Sequence, residues 1–124
     1  MFVNNEKELA SLNRKRTLLS KDTIVLIFSS MCGPCHMFLP TWKAFVDNLR
    51  KNKSIDAIAI EVGYLKGVKN KELSNMIEKM SKKNPYVPNL AKYDSKTKRV
   101  QMFKNDRSVE ALNLFMKTTH KQKK

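Results

Sequence analysis

The sequence lacks features that would point to several common classes of protein. Only two of its 124 residues are cysteine, so at most one internal disulfide can form and a multi-disulfide scaffold is excluded. Its three glycines form no Gly-rich phosphate loop, and we expect no dedicated cofactor. The longest apolar run, Ile24 to Phe28, is far too short to cross a bilayer. No positively charged stretch followed by an apolar one opens the chain, so we expect no secretory signal and a cytoplasmic location.

Acidic residues are also scarce. Asp and Glu number 11 against 25 Lys and Arg, which gives a formal net charge of +14. Such a charge favours acidic partners, phosphate backbones or anionic membrane surfaces, and it carries no information about the fold. No recognisable nucleic-acid module accompanies it, and the aromatic content of 8% offers few base-stacking residues. We therefore expect either a solvated basic face or a docking surface for acidic partners, and we do not expect a nucleic-acid interface.

The remaining composition is that of one ordinary globular domain. Hydrophobic residues make up 41% and charged residues 29% of the chain, which suffices for a core. A chain of this length buries about two-thirds of its unfolded surface around a single core. We predict one domain over residues 1–119 and a basic tail over residues 120–124.

The hydrophobic pattern of the first half predicts a βαβ unit. Thr23 to Ser29 is a continuous β-branched and apolar run, typical of a strand that is covered on both faces. A helix is predicted from Pro34 to Arg50, with Pro40 kinking it, and Ile55 to Val62 is a second buried strand. Such a unit requires parallel strands. The helix would bury Phe38, Trp42, Phe45 and Leu49, for which core packing is a simpler role than cofactor binding.

The remaining elements are predicted from caps, apolar spacing and turn residues. They are a helix at Glu6–Arg16 capped by Asn5, a loop at Gly63–Gly67, a helix at Asn70–Lys83, an antiparallel pair of strands at Asn89–Asp94 and Arg99–Lys104, and a last helix capped by Ser108.

A Cys-x-x-Cys motif lies directly between the first predicted strand and the following helix. Cys32 falls near the helix N-terminus, where free N–H groups and the helix dipole stabilise a thiolate and lower the thiol pKa. Cys35 lies one turn further on and could resolve a mixed disulfide formed at Cys32. Between them, Gly33 leaves space for a substrate chain and Pro34 has a φ already suited to a helix. This pattern predicts a redox-active pair.

Residues 24–117 resemble the thioredoxin superfamily, whose Cys-x-x-Cys lies in the same place. The Cys-Gly-Pro-Cys at residues 32–35 matches the thioredoxins proper, and Pro40 matches the kinked active-site helix of the family. The resemblance implies an α/β fold, with a central mixed sheet flanked by helices and a βαβ unit followed by a helix, an antiparallel hairpin and a C-terminal helix.

Tyr86-Val87-Pro88 looks like the cis-proline segment of that family. By this resemblance Pro88 would pack beside the disulfide, and the backbone of Val87 would pair with an extended substrate segment. Pro85 is the competing candidate, but Pro88 immediately precedes the strand pattern.

The sequence departs from the family at three positions. Met31 stands where the family usually has Trp, which keeps an apolar surface for substrate contact. Leu26 stands where typical thioredoxins bury an Asp that handles the proton of the resolving cysteine, so water, Glu61 or His36 must serve here. His36 follows Cys32 by four residues and could stabilise its thiolate when protonated, or it could simply face solvent.

These residues predict a thiol–disulfide oxidoreductase that acts on protein substrates and is recycled by a reductase or an oxidase. The positive charge and His36 favour an oxidant, whereas the Gly-Pro dipeptide resembles that of the reducing members of the family. Whether the protein acts as a reductant or as an oxidant therefore stays open. A zinc site lacks ligands, because only His36 lies near the two cysteines, and inert buried thiols are the simplest alternative. The alternative function is a binding or assembly module whose basic surface holds acidic partners or nucleic acid.

Overall fold

The computed structural model describes residues 1–51, 54–104 and 107–117, so the predicted domain end at residue 119 and the basic tail at 120–124 lie outside it. In chain order the described elements are β1 (Phe2–Val3), α1 (Glu6–Arg14), β2 (Asp22–Phe28), α2 (Gly33–Leu49), β3 (Ile55–Glu61), a 3-10 helix (Val62–Gly67), α3 (Lys71–Lys83), β4 (Asn89–Tyr93), β5 (Val100–Met102) and α4 (Val109–Lys117).

The strands form one mixed sheet in the order β1-β3-β2-β4-β5. The central strand, β2, is parallel to β3 and antiparallel to β4, and β4 and β5 form the predicted antiparallel pair. In the register of β2 and β3, Phe28 lies opposite Glu61. Glu61 is thereby placed beside the end of the strand that leads into the cysteine motif.

β2 is buried along its length because helices cover both faces of the sheet. Side chains alternate between the two faces of a strand, so Ile24, Leu26 and Phe28 pack with α2 and α4 while Val25 and Ile27 pack with α1 and α3. The predicted α/β fold, with a mixed sheet flanked by helices, is confirmed. Within the described residues, no helix is both long and apolar enough to cross a membrane. The main helix residues in the α2 and α4 layer are Phe38, Trp42, Phe45, Leu112 and Phe115, and those in the α1 and α3 layer are Leu9, Leu12, Leu73, Met76 and Met80.

Polar side chains fix the start of three helices. Asn5, Asn70 and Ser108 each accept a hydrogen bond from the backbone N–H three residues further on, at 2.8, 2.9 and 3.1 Å. The first helix ends at Arg14, two residues before its predicted end, because Lys15 is extended with ψ 127°. The predicted caps at Asn5 and Ser108 are therefore confirmed, and Asn70, predicted as the first residue of its helix, is a cap as well.

Two expectations from the sequence were incomplete or wrong. β1 was not predicted, since two residues show no period, and it exists because Phe2 pairs with Ala59 of β3. The predicted loop at residues 63–67 is instead part of a 3-10 helix, which Glu61 caps. At Gly67 a Cβ would lie 2.5 Å from a methyl carbon of Leu9, so a larger residue there would force the Leu9 side chain to shift. The other element ends differ from prediction by at most two residues.

The side chains of Glu72 and Lys92 connect the β4–β5 hairpin to the helices. Glu72 of α3 accepts hydrogen bonds at 3.1 Å from the hydroxyl of Tyr93 and the ammonium of Lys98. The bond from Lys98 holds the pKa of the Glu72 carboxyl below its ordinary value. Lys92 of β4 is 3% exposed, and its ammonium donates to the backbone carbonyl of Phe115 at 2.8 Å, near the end of α4. The same ammonium lies 5.1 Å from the ring centroid of Phe115.

Candidate active site

Cys32 lies at the junction of β2 and α2, as the N-cap residue of the helix. Its backbone is extended, with φ −102° and ψ 119°, and its half-buried sulfur accepts a hydrogen bond from the N–H of Cys35 at 3.2 Å. Gly33 and Pro34 form the first two helical positions and are exposed. The helix therefore begins by donating one of its free N–H groups to the Cys32 sulfur.

Cys35 lies one helical turn further on and is only 1% exposed. Burial, followed by the hydrogen bond with Cys32, raises the pKa of the Cys35 thiol to about 11. The N–H of Ser29, at 3.5 Å from the Cys35 sulfur, and the charge of Arg107 both act in the opposite direction. The two thiols are thus placed differently, with one at the surface end of a helix and the other inside the core.

A cis peptide bond joins Val87 to Pro88, next to the cysteines. It is the only cis bond among the residues that the structure describes, so Pro88 and not Pro85 has the expected geometry. The thiol of Cys32 lies 3.6 Å from the carbonyl oxygen of Val87. The structure therefore brings together the cysteine motif and the segment that the sequence resemblance assigned to substrate.

The cis-proline segment is anchored from two sides. The buried amide of Asn89 donates to the carbonyls of Met80 and Asn84 at 3.1 and 2.9 Å, at the end of α3. Arg107 donates to the carbonyl of Pro88 at 3.4 Å. Neither Asn89 nor Arg107 was expected at the site, because no local pattern in the sequence shows which distant carbonyl a side chain will reach.

Exposed apolar side chains lie beside both parts of the site. Met31, directly before Cys32, is 91% exposed, and Tyr86, directly before Val87, is 76% exposed. Pro40 lies inside α2 and is exposed. Met31 and Tyr86 therefore offer apolar surface next to the sulfur and the cis-proline segment.

The groups expected to take the proton of Cys35 point elsewhere. Glu61 accepts from the N–H of Ser30 at 3.1 Å and from the N–H of Gly63 at 2.7 Å. His36 places its Nε2 atom 2.6 Å from the carbonyl oxygen of Ser30. Leu26 is fully buried and has no ionisable group, so this position of the strand offers no acid. In the described part of the chain, neither Glu61 nor His36 is hydrogen-bonded to the Cys35 sulfur.

A metal centre would need further ligands beside the two cysteines. Across residues 1–51, 54–104 and 107–117, no group of three His, Cys, Asp or Glu side chains comes together in a way that could hold a metal ion. His36 is the nearest imidazole in sequence, and its Nε2 is directed to the Ser30 carbonyl.

Solved structures provide the comparison, since no family model and no curated protein matches the sequence. The Trx4 domain of ERdj5 superposes with a TM-score of 0.58 at 15% identity, over 94% of this chain and 91% of that domain. Chloroplastic thioredoxin z superposes with a TM-score of 0.57 at 16% identity, over 94% of this chain and 93% of that one. The chain has a thioredoxin-like fold. A J-Trx1 fragment of ERdj5 is 22% identical with a TM-score of 0.55, over 93% of this chain, which spans 48% of that fragment.

Sequence identities of 15%, 16% and 22% are low, so these comparisons show the fold alone. Within the fold, Cys32 and Cys35 have the Cys-x-x-Cys spacing at the start of α2. The chemistry of this thioredoxin-like site therefore has to be argued from its own atoms.

Proposed function

We propose that this protein is a thiol–disulfide oxidoreductase that exchanges disulfides with protein substrates through Cys32 and Cys35. One observation carries the proposal. The half-buried sulfur of Cys32 receives the N–H of Cys35 at 3.2 Å at a helix start and lies 3.6 Å from the carbonyl of Val87. A nucleophilic sulfur is thus adjacent to a backbone segment with which an extended substrate could pair.

In the reducing direction the Cys32 thiolate attacks one sulfur of a substrate disulfide. The substrate S–S bond breaks, a mixed disulfide forms between Cys32 and the substrate, and the other substrate sulfur leaves as a thiolate. The exposed side chains of Met31 and Tyr86 contact the substrate next to the reacting sulfur, while the backbone of Val87 pairs with it. This step requires access to Cys32 alone, and Cys35 stays buried.

The second step resolves the mixed disulfide. Cys35 loses its proton and attacks the Cys32 sulfur, so the internal disulfide forms and the second substrate sulfur leaves as a thiolate. Two electrons have then passed from the protein to the substrate, and the Cys35 proton goes to the departing thiolate or to water. A recycling reductase restores the dithiol, or an oxidase drives the reverse reaction. Because the pKa of Cys35 is raised to about 11, we expect this step to gain rate as the pH rises.

Turnover with single cysteine variants tests the proposal. We expect the wild type to reduce insulin disulfides in the presence of dithiothreitol, and Cys32→Ser to lose that turnover. Cys35→Ser should instead accumulate mixed disulfides, which non-reducing electrophoresis detects. Equal turnover in wild type and Cys32→Ser would end the proposal. Equilibration with glutathione buffers would then give the reduction potential, which separates a reductant from an oxidant or isomerase.

A second candidate is a binding module that uses the basic surface. Carboxylates are few, and several of them bind backbone N–H groups in place of lysines. Asp22 accepts from Ser95, and Glu61 accepts from Ser30 and Gly63. The net charge of +14 favours binding of an acidic partner. Salt-sensitive binding of an acidic protein that is unchanged in the Cys32→Ser/Cys35→Ser protein, together with negligible disulfide turnover, would favour this candidate.

A further inference from the structure

The four residues before α2 form a loop in which each backbone N–H has a partner. The N–H groups of Ser29, Met31 and Cys32 are bound within the segment itself or by Cys35. The N–H of Ser30 is different, because it donates to Glu61 on the neighbouring strand β3 at 3.1 Å. Ser30 is therefore the point at which this loop is attached to the sheet.

The carbonyl of Ser30 is held as well, by a side chain from α2. A carbonyl oxygen only accepts hydrogen bonds, so the Nε2 atom of His36 at 2.6 Å must carry a proton. The neutral Nε2–H tautomer and the imidazolium both satisfy this condition. The bond therefore depends on a donor at Nε2 and does not depend on the charge of the ring.

Glu61 is fixed by a second bond on its other side. Its Oε1 atom accepts from the N–H of Gly63 at 2.7 Å, while Oε2 accepts from Ser30. The side chain is largely buried, at 8% residue exposure. A Cβ on Gly63 would lie 2.9 Å from Oε1, so a larger residue at position 63 would force the carboxylate to shift. One carboxylate therefore joins the start of the 3-10 helix to the loop before Cys32.

We propose that Glu61 and His36 are positioning residues, which hold the backbone on the two sides of Ser30 and so fix how Met31 and Cys32 meet the substrate. This inference rests on the proposed disulfide exchange. It replaces the role of proton acceptor that the sequence suggested for the same two side chains. A displacement of about 1 Å at a reacting group can lower a rate by about 100-fold, so a loosened loop has a measurable cost.

Substitutions that alter one contact at a time test the proposal. Glu61→Gln leaves a single acceptor oxygen for two N–H groups, and Gly63→Ala displaces the carboxylate without changing any charge. We expect each to lower kcat/KM for insulin reduction by about tenfold or more. Glu78→Gln removes a carboxylate from an exposed pair with Lys82 and is the matched control, which should behave as wild type.

Two variants of His36 separate the hydrogen bond from the charge. His36→Gln carries an amide N–H near the Nε2 position and should retain kcat/KM within about twofold of wild type, whereas His36→Phe keeps the ring volume without a donor and should lose about tenfold. If Gln and Phe were equally impaired, or if Glu61→Gln and Gly63→Ala both turned over like wild type, the proposal would be wrong.

Nuclear magnetic resonance on the wild type provides a test that needs neither turnover nor a folded variant. The ¹⁵N shifts of His36 should report a proton on Nε2 when the ring is neutral, and the Ser30 amide should exchange slowly with solvent. A neutral Nδ1–H tautomer, or a rapidly exchanging Ser30 amide, would overturn the inference. Absence of turnover in the wild type would instead reject the disulfide exchange and leave these two measurements to decide the positioning role.

Discussion

The unequal placement of the two thiols predicts that they react at very different rates with an alkylating reagent. Burial raises the pKa of Cys35 to about 11, against an ordinary value of 9.0. At neutral pH the thiolate fraction falls tenfold for each unit of pKa, so Cys35 should hold about 100-fold less thiolate than an ordinary cysteine. Cys32 lies at the surface end of the helix, so we expect one fast and one slow site.

Iodoacetamide labelling of the reduced protein over a pH series measures this difference. Unreacted thiols are labelled with an isotopically heavy reagent after unfolding, and mass spectrometry of the peptides then gives the rate at each cysteine. The rate at Cys35 should rise about tenfold per pH unit and continue to rise above pH 9. Protein unfolded in urea is the control, in which both cysteines should react alike.

Reagent access could also slow Cys35, and the shape of the pH profile separates access from ionisation. Poor access alone lowers the rate by a constant factor and leaves the midpoint near the ordinary pKa. A rate at Cys35 that levelled off near pH 9, or that matched the rate at Cys32 in the folded protein, would refute the reasoning. Prior alkylation of Cys32 removes part of the effect, but burial is the largest cause and would remain.

Three further substitutions test other contacts. Arg107→Met removes a charge that lowers the pKa of Cys35, so the pH midpoint of its alkylation should move upward, while Lys104→Met should leave it unchanged. Glu72→Gln should destabilise the protein only above acidic pH. The pKa of Glu72 in the folded protein is lowered, so the stabilisation from its carboxylate is present above pH 4.5 and is lost as the pH falls through the folded-state pKa. Urea unfolding of the wild type and of Glu72→Gln, at pH values above and below 4.5, measures this difference. Lys92→Met leaves the buried Phe115 carbonyl without its lysine donor and should lower the free energy of unfolding by about 1–3 kcal/mol, whereas no loss in urea denaturation would contradict that reading.

Local patterns in the sequence were enough to predict most of the fold. The continuous apolar run of β2 and the repeated apolar spacing of α2 are each long enough to be recognised without tertiary information. Cys32 and Cys35 were recognised for the same reason, since their spacing is local. β1 was missed because two residues carry no period and become a strand only through pairing with Ala59.

The parts of the site that escaped prediction depend on contacts between distant residues. Glu61 and Ser30 are 31 residues apart, and Arg107 and Pro88 are 19 apart. The sequence offers Glu61 as a proton acceptor, yet one of its oxygens accepts from the nearby N–H of Gly63 and the other accepts from Ser30. The contact with Ser30 depends on the register of β2 with β3. Long-range hydrogen bonds of this kind follow from the assembled sheet.

The amide of Asn89 has a consequence for the whole molecule. This buried side chain joins the last turn of α3 to the start of β4. The position of the segment next to the Cys32 sulfur therefore depends on the stability of α3, a helix whose outer surface is rich in lysine. Fraying of that helix would shift the Val87 carbonyl even though no residue near the thiols had changed. Variation on a remote, solvent-facing surface can thereby alter the geometry around Cys32.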